Sequence, residues 1–283
     1  MPEWIVKEWL EVYDFKTVEG ILAAFLAETP TSIRVNTMRT DRETLTQRLR
    51  AEGVTVEKNE TLSQGLYISG YDYLNALDTF REGLFYVQDE SSMLVSELAS
   101  PKPGDYVLDV CAAPGGKSLH MAELLRGTGM VEARDLTPYK VGLIQENIDR
   151  CRLGNIKAAQ ADAREFYPED ENKADIVLAD LPCSGLGTLG KKTDIKYRIN
   201  REAMKELAAL QREILNTVSR YVKLGGTLMY STCTISRQEN EDNVAWFLKE
   251  HPGFSLEKQQ QLLPAAGRRD GFFLAKLIKE NHG

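Results

Sequence analysis

The sequence predicts an α/β protein in which a mostly parallel sheet, covered by helices, follows a small α+β module. Three observations carry that expectation. From about Asp105 onward, short apolar runs alternate with helical periodicity, the pattern of parallel strands joined by crossover helices. A glycine-rich turn, Asp109-Val-Cys-Ala-Ala-Pro-Gly-Gly-Lys-Ser118, lies between the first of these strands and its helix. Cys183 and Cys233 each follow closely on an apolar run, Ala174–Ala179 and Gly226–Tyr230, at strand carboxyl ends, where open α/β sheets place their ligands.

Taken in order, Pro2–Tyr13 and Thr17–Leu26 are expected as short helices. Ser32–Asn36 reads as a strand, Arg42–Ala51 as a helix opened by Thr40-Asp41, and Val54–Glu57 and Leu66–Ser69 as short strands. Gly83–Asp89 leads into a helix from Glu90 that joins the two parts, so the expected division is 1–85 and 86–283. Beyond it the strands are Tyr106–Val110, Gly129–Asp135, Asn155–Gln160, Asp175–Ala179 and Thr227–Tyr230. The intervening helices are Lys117–Arg126, Pro138–Arg152, with proline suited to a first turn, and Glu202–Val222, closed by Gly225-Gly226. Phe254–Glu257 and Gly271–Leu277 end the chain as an expected antiparallel edge.

The bulk properties narrow the function classes. The 283 residues, 42% hydrophobic and 27% charged, suit a globular protein with core enough for one large or two modest domains. No stretch approaches the ~20 apolar residues of a membrane span, and Met1-Pro2-Glu3-Trp4-Ile5 lacks a signal-peptide pattern. A cytoplasmic protein with no membrane partner is expected. The 4 cysteines form no CxxC pair and no zinc-type spacing with the 3 histidines, so reduced thiols and no metal are expected. His120, His251 and His282 stand alone and read as surface residues. A net charge of -7 argues against a nonspecific nucleic-acid binder, although basic clusters at Arg34–Arg50 and Lys191–Arg201 leave room for a local one.

The glycine-rich turn excludes two familiar readings. A phosphate-binding Walker loop needs glycine where Cys111 stands, and the dinucleotide fingerprint GxGxxG is absent. What remains is a nucleoside cofactor laid across strand ends and approached closely by the backbone at Gly115 and Gly116. Asp135 and Asp162 fall at the next two strand ends, placed to hold ribose hydroxyls and an adenine edge.

Cys111-Ala-Ala-Pro-Gly-Gly-Lys117, Asp180-Leu-Pro-Cys-Ser184 and Ser231-Thr-Cys-Thr234 together resemble the RNA cytosine-5 methyltransferases that use S-adenosylmethionine. Ser32-Ile-Arg-Val-Asn-Thr37, Gly83–Ser92, Asp194-Ile-Lys-Tyr197 and Asp270-Gly-Phe-Phe273 are similar to the bacterial small-subunit (16S) rRNA branch, the RsmB (Sun/Fmu) type. The resemblance covers nearly the whole chain and implies a Rossmann-like methyltransferase domain behind a small RNA-contacting α+β domain. It departs from that branch twice. The chain begins at about the point where an N-terminal NusB-like domain would end, which reads as a truncation or a short natural form. Thr193 stands where the family tends to have proline.

The resemblance also implies the roles. Cys111, Ala112, Ala113, Pro114, Gly115, Gly116, Lys117, Asp135, Asp162 and Asp180 are expected around the cofactor. Cys233 is implied as the nucleophile that adds to cytosine C6, and Cys183 as the residue needed for release. Spacing does not make that choice, because DNA cytosine-5 methyltransferases use the Pro-Cys cysteine instead. Asp180 is expected to partner cytosine N3, as a protonated donor, or the methionine amino group. Cys151, inside a helix, reads as a small hydrophobe. The expected partner is ribosomal RNA with a single-stranded or loop cytosine, its backbone held by the N-terminal module and the Lys191–Arg201 loop of a monomer. Action on tRNA or another RNA, and a catalytically silent assembly module, are the alternatives.

Overall fold

A computed structural model describes residues 1–280, which leaves His282 outside the described residues. Packing divides the chain into Pro30–Asp162 and a second unit formed by Met1–Thr29 with Ala163–Gly283.

The second unit opens with α1 (Glu3–Val12) and α2 (Phe15–Leu26), the latter capped by Asp14, whose carboxylate accepts from Thr17 N–H. In Pro30–Asp162, β1 (Thr31–Val35), α3 (Arg42–Ala51), β2 (Thr55–Lys58), β3 (Gly65–Ser69), α4 (Asp78–Arg81) and β4 (Phe85–Val87) form the small module. Its sheet runs β2-β3-β1-β4 and is antiparallel throughout, with Ile33 opposite both Leu66 and Val87. One face is sealed by Ile33, Val35, Leu45, Leu49, Leu66, Ile68 and Phe85, so α3 lies on the sheet through the leucines of its i, i+4 stripe. Asp41 begins α3 by accepting from the N–H groups of Glu43 and Thr44.

The same unit continues through α5 (Glu90–Ala99), β5 (Tyr106–Asp109), α6 (Gly116–Leu124), β6 (Met130–Asp135), α7 (Pro138–Cys151) and β7 (Ile156–Gln160). β5, β6 and β7 pair in parallel. Two devices hold the small module to α7. Asn36 Nδ2 donates to the carbonyls of Gly83 and Cys151, at 2.9 and 3.0 Å, satisfying the end of α7. Gly83 itself sits at φ +70°, where a Cβ would lie 1.9 Å from the Arg150 carbonyl oxygen, so only glycine fits.

The other unit resumes with β8 (Ala174–Asp180), α8 (Ile195–Arg198), α9 (Arg201–Val218), β9 (Val222–Thr232), α10 (Glu241–Glu250), β10 (Phe254–Leu262) and β11 (Phe272–Lys279). β8 and β9 are parallel, β11 is antiparallel to β9, and β10 is antiparallel to β11, giving the expected antiparallel edge. Parallel strands linked by helices in both units make the fold Rossmann-like, with the small antiparallel module on its N-terminal side in sequence. Among the described residues, no helix is long and apolar enough to cross a membrane.

Several expectations change. In packing, Ile5, Trp9, Val18 and Ile21 bury themselves with Leu186, Leu189, Met204 and Ile235, a contact the sequence does not announce. The α9 helix ends at Val218 rather than Val222: Ser219–Tyr221 form a 3₁₀ turn and Val222 already belongs to β9. Tyr221 and Val222 fit either period, and the Tyr221 hydroxyl, donating to the Glu165 carbonyl, settles them outside the helix. The α4, α8 and α10 helices lay outside the sequence reading. His120 is not a surface residue. It is 1% exposed on a nearly all-buried α6, its Nε2 3.0 Å from Gln64 Nε2, and burial depresses its pKa to about 4. His251 is half-buried, stacked on Phe247 with centroids 4.4 Å apart. The Arg34–Arg50 cluster is not a free basic patch either, since Arg34 is buried and Arg48 is bidentate to Glu82 at 2.9 and 2.7 Å.

Candidate active site

The glycine-rich turn leaves β5 at Asp109, whose Oδ2 accepts from Ser118 Oγ at 2.5 Å and ties the strand end to the first turn of α6. Between them the chain folds back through Ala112 N–H to Arg134 O (2.8 Å) and Gly115 N–H to Ala112 O (2.7 Å), with a cis Ala113–Pro114 peptide. Gly115 caps α6 at φ +108° without any side-chain acceptor, so the helix opens with its backbone donors uncapped, as an anionic or polar ligand group requires. A Cβ on Gly116 would come within 3.0 Å of the Tyr86 ring. Lys117 Nζ donates to Ser92 Oγ at 2.9 Å, which sets its ammonium beside the turn. Tyr86 OH and Asn147 Nδ2 both donate to the Pro114 carbonyl, at 3.3 and 3.1 Å.

Asp135, at the end of β6, is buried. Its Oδ2 accepts from Ala113 N–H (3.0 Å), and its Oδ1 from Leu136 N–H (2.8 Å) and Lys140 Nζ (2.9 Å). The carboxylate therefore shapes the turn, and each oxygen keeps limited acceptor capacity for a ribose hydroxyl. Asp162 follows β7 and is half-buried. The turn, its uncapped helix and these acids suit a nucleoside carrying a polar tail.

The two cysteine loops lie in the other unit. Cys183 Sγ and Cys233 Sγ are 3.4 Å apart and both partly exposed; neither they nor Cys111 nor the buried Cys151 forms a disulfide. Leu181 N–H donates to Ser231 O (3.1 Å) and Gly187 N–H to Cys233 O (3.0 Å), so the loops run side by side. Ser231 Oγ donates to Asp180 Oδ1 at 2.7 Å, bringing that half-buried carboxylate to the same strand ends. The hydrogen bond to Cys233, burial and the nearby Glu239 charge push the Cys183 thiol well above its usual range. Cys183 is thereby kept as a thiol.

A polar cluster beneath the loops lay outside the sequence reading. Glu239 accepts from Ser184 N–H (2.8 Å), Ser184 Oγ (2.5 Å) and Gln211 Nε2 (3.1 Å). Ser184 Oγ also lies 2.8 Å from Thr234 Oγ1, and Gln211 Nε2 donates to Pro182 O at 2.8 Å. Asn240 joins Thr232 Oγ1 (2.6 Å) to Gln261 Oε1 (2.7 Å). The available signal was the polar run Glu239-Asn-Glu241 so soon after Cys233, indistinguishable in sequence from a solvated loop. Among the described residues no group of acidic, histidine and cysteine side chains could hold a metal ion.

The family model described as 16S rRNA methyltransferase RsmB/F matches residues 96–278. This chain belongs to the RsmB/F family. An RsmF/B-like ferredoxin-like domain model matches residues 1–71 of the same RsmB/F member. The probable ribosomal RNA small subunit methyltransferase B of Bacillus subtilis is 40% identical to it, over 99% of this chain and 66% of that protein. The ribosomal RNA small subunit methyltransferase B of Proteus mirabilis is 32% identical over the same shares. This RsmB/F chain thus spans 66% of the length of the curated relatives it matches. Among solved structures, PH0851 superposes with TM-score 0.93 at 34% identity, over 99% of this chain and 66% of that one. NSun6 from Pyrococcus horikoshii, solved with SFG, gives 0.90 at 25% identity, over 99% and 98%.

Proposed function

We propose that this chain transfers a methyl group from S-adenosylmethionine to C5 of a cytosine in 16S rRNA through a covalent Cys233–C6 bond. The observation that carries the reading is the thiol pair: two cysteines 3.4 Å apart and outside any disulfide, with the Cys183 thiol pushed up by its Cys233 hydrogen bond and burial. A thiolate on Cys233 hydrogen-bonded by the Cys183 S–H is the nucleophile that cytosine chemistry needs.

Cytosine C5 is too weak a nucleophile to take a methyl group unaided. Addition of the Cys233 sulfur at C6 pushes the ring electrons toward N3 and makes C5 enamine-like. Asp180, held by Ser231, partners N3 during that addition or orients the methionine amino group. Cys111–Lys117, Asp135, Asp162 and Asp180 would hold S-adenosylmethionine, which when bound supplies an electrophilic methyl. Loss of the C5 proton then returns the C6–S electron pair to Cys233 by β-elimination, and Cys183 is required at this release. The target base has to leave its stack to reach a thiol. Tyr197, 79% exposed with Lys196 Nζ 5.2 Å from its ring centre, suits a stacking and phosphate contact.

The test is to incubate Cys183→Ala and Cys233→Ala variants separately with S-adenosylmethionine and unmodified small-subunit rRNA, and to probe for a denaturation-stable adduct. An adduct with the Cys183 variant alone is expected. The reverse pattern exchanges the two roles, and no adduct with either sinks covalent catalysis by this chain. A parallel arm with tRNA reads the substrate class.

A further inference from the structure

Glu239 is the one acid of the cysteine cluster to which the mechanism gives no task. It is 0% exposed and, among the described residues, makes no ion pair with a lysine or arginine. A carboxylate enclosed in this way is costly unless hydrogen bonds hold it, and burial raises its pKa. Three donors do hold it, and two come from Ser184, the residue after Cys183. Because Ser184 Oγ donates to Glu239, it is free to accept from Thr234 Oγ1, which belongs to the residue after Cys233. The carboxylate is thus joined to both thiol loops through one serine.

We propose that Glu239 is a positioning residue for the cysteine pair, fixing Cys183 against Cys233 through Ser184 and holding Cys183 as the protonated partner. This rests on the reading that the two thiols are catalytic. The physical reason is the placement of a negative charge directly behind the Cys183 loop: an anion at Cys183 would face that charge across Ser184, and the Ser184 hydroxyl carries the link on to Thr234 beside Cys233. The other groups facing the cluster are Glu8 from α1, Arg212 from α9, and Tyr230 and Cys233 from β9 and the turn after it. Glu8 adds to the negative field, and Arg212, whose Nε is bonded to Asn243, offsets part of it.

Glu239→Gln removes the charge while keeping the bonds. The amide oxygen can take the Ser184 and Gln211 N–H groups, and the amide nitrogen can donate to Ser184 Oγ, which then turns its proton to Thr234. The measurement is iodoacetamide alkylation of Cys183 across pH 6 to 11, read by peptide mass spectrometry on the full chain without RNA. The alkylation midpoint is expected to fall by on the order of one pH unit in Glu239→Gln, the size of a lost like-charge neighbour. Ser184→Ala, which keeps the charge but cuts the hydroxyl link, is expected to raise Cys183 alkylation at pH 8 several-fold with the midpoint in place. Superimposable Cys183 profiles in wild type and Glu239→Gln overturn the proposal. If Glu239→Gln does not fold, an unchanged rate in Ser184→Ala overturns it instead. With RNA, the pH profile of adduct breakdown should move in the same direction as the alkylation midpoint. Failure of the adduct assay leaves the alkylation result standing, so loss of the catalytic reading and loss of the Glu239 role are told apart.

Discussion

Arg34 of β1 and Glu123 of α6 form an ion pair sealed from water, with side chains 0% and 2% exposed and Nη2 to Oε1 at 2.9 Å. Arg34 Nη1 also donates to the Gly116 carbonyl at 3.0 Å and to Gln88. The small module therefore reaches, through one guanidinium, the residue that opens the helix after the glycine-rich turn. The fork geometry matters, because a lysine cannot serve four acceptors at once. Arg34→Met leaves Glu123, whose pKa burial already raises, buried without its counter-charge, and should cost about 3 to 5 kcal/mol, read by urea denaturation. Arg34→Lys should recover less than half of that. A loss below about 1 kcal/mol in Arg34→Met would mean that the pair does not anchor the module.

Gly83 separates two costs that are usually confounded. Gly83→Ala adds a methyl at φ +70° and drives it into the Arg150 carbonyl, whereas Gly53→Ala meets φ +83° with nothing within 4 Å. The first should lose about 2 to 5 kcal/mol and the second only about 1 to 2. Equal losses in thermal or chemical melts would show that the module can move off α7 at little cost.

His120 makes stability depend on acid. Its folded pKa, about 4, lies below the ordinary 6.5, because burial and then Arg34 disfavour the imidazolium. The unfolded chain therefore binds the proton first. Its contribution to stability is complete above pH 6.5 and is lost as pH falls toward 4, by up to about 3 kcal/mol. His120→Gln should flatten the stability profile within that window. A variant whose stability falls as steeply as wild type between pH 6.5 and 4 would assign acid sensitivity to other groups.

RNA affinity should be salt-dependent through the 191–201 loop. Lys191 is held by Asp270 at 2.9 Å and Lys196 lies over Tyr197, while Lys192 is exposed. Neutralising Lys191, Lys192 and Lys196 together should reduce the magnitude of the slope of log affinity against log salt by about 1.4 to 2, at ~0.7 per phosphate contact on single strands. Cofactor affinity should stay unchanged. An unaltered slope moves the RNA-binding surface elsewhere.

Much of the site was legible because its signals are local. The run Tyr106–Val110, the turn to Ser118 and the helix after it follow from short-range periodicity and glycine placement, and the structure puts β5 and α6 there within a few residues. The Asp41 cap and the full span of α3 were equally readable. The ambiguous stretch was Tyr221–Val222, where apolar residues satisfy helix and strand alike and the choice goes with contacts distant in sequence, among them the Tyr221 bond to Glu165 and its stack on Phe166.

The sequence by itself determined the strand–helix alternation, the glycine-rich turn and the presence of two thiols at strand ends, since each is written in neighbouring residues. Tertiary structure decided what those residues experience. It buried Arg34, His120 and Glu239, which in sequence look like ordinary surface polar groups, and it set α1 and α2 with the C-terminal half of the chain. It also placed Cys183 3.4 Å from Cys233 with the Glu239 carboxylate behind it, and the Cys233 hydrogen bond, burial and that charge push the Cys183 thiol up. Burial and electrostatic field come from groups distant along the chain, and no spacing of cysteines encodes them.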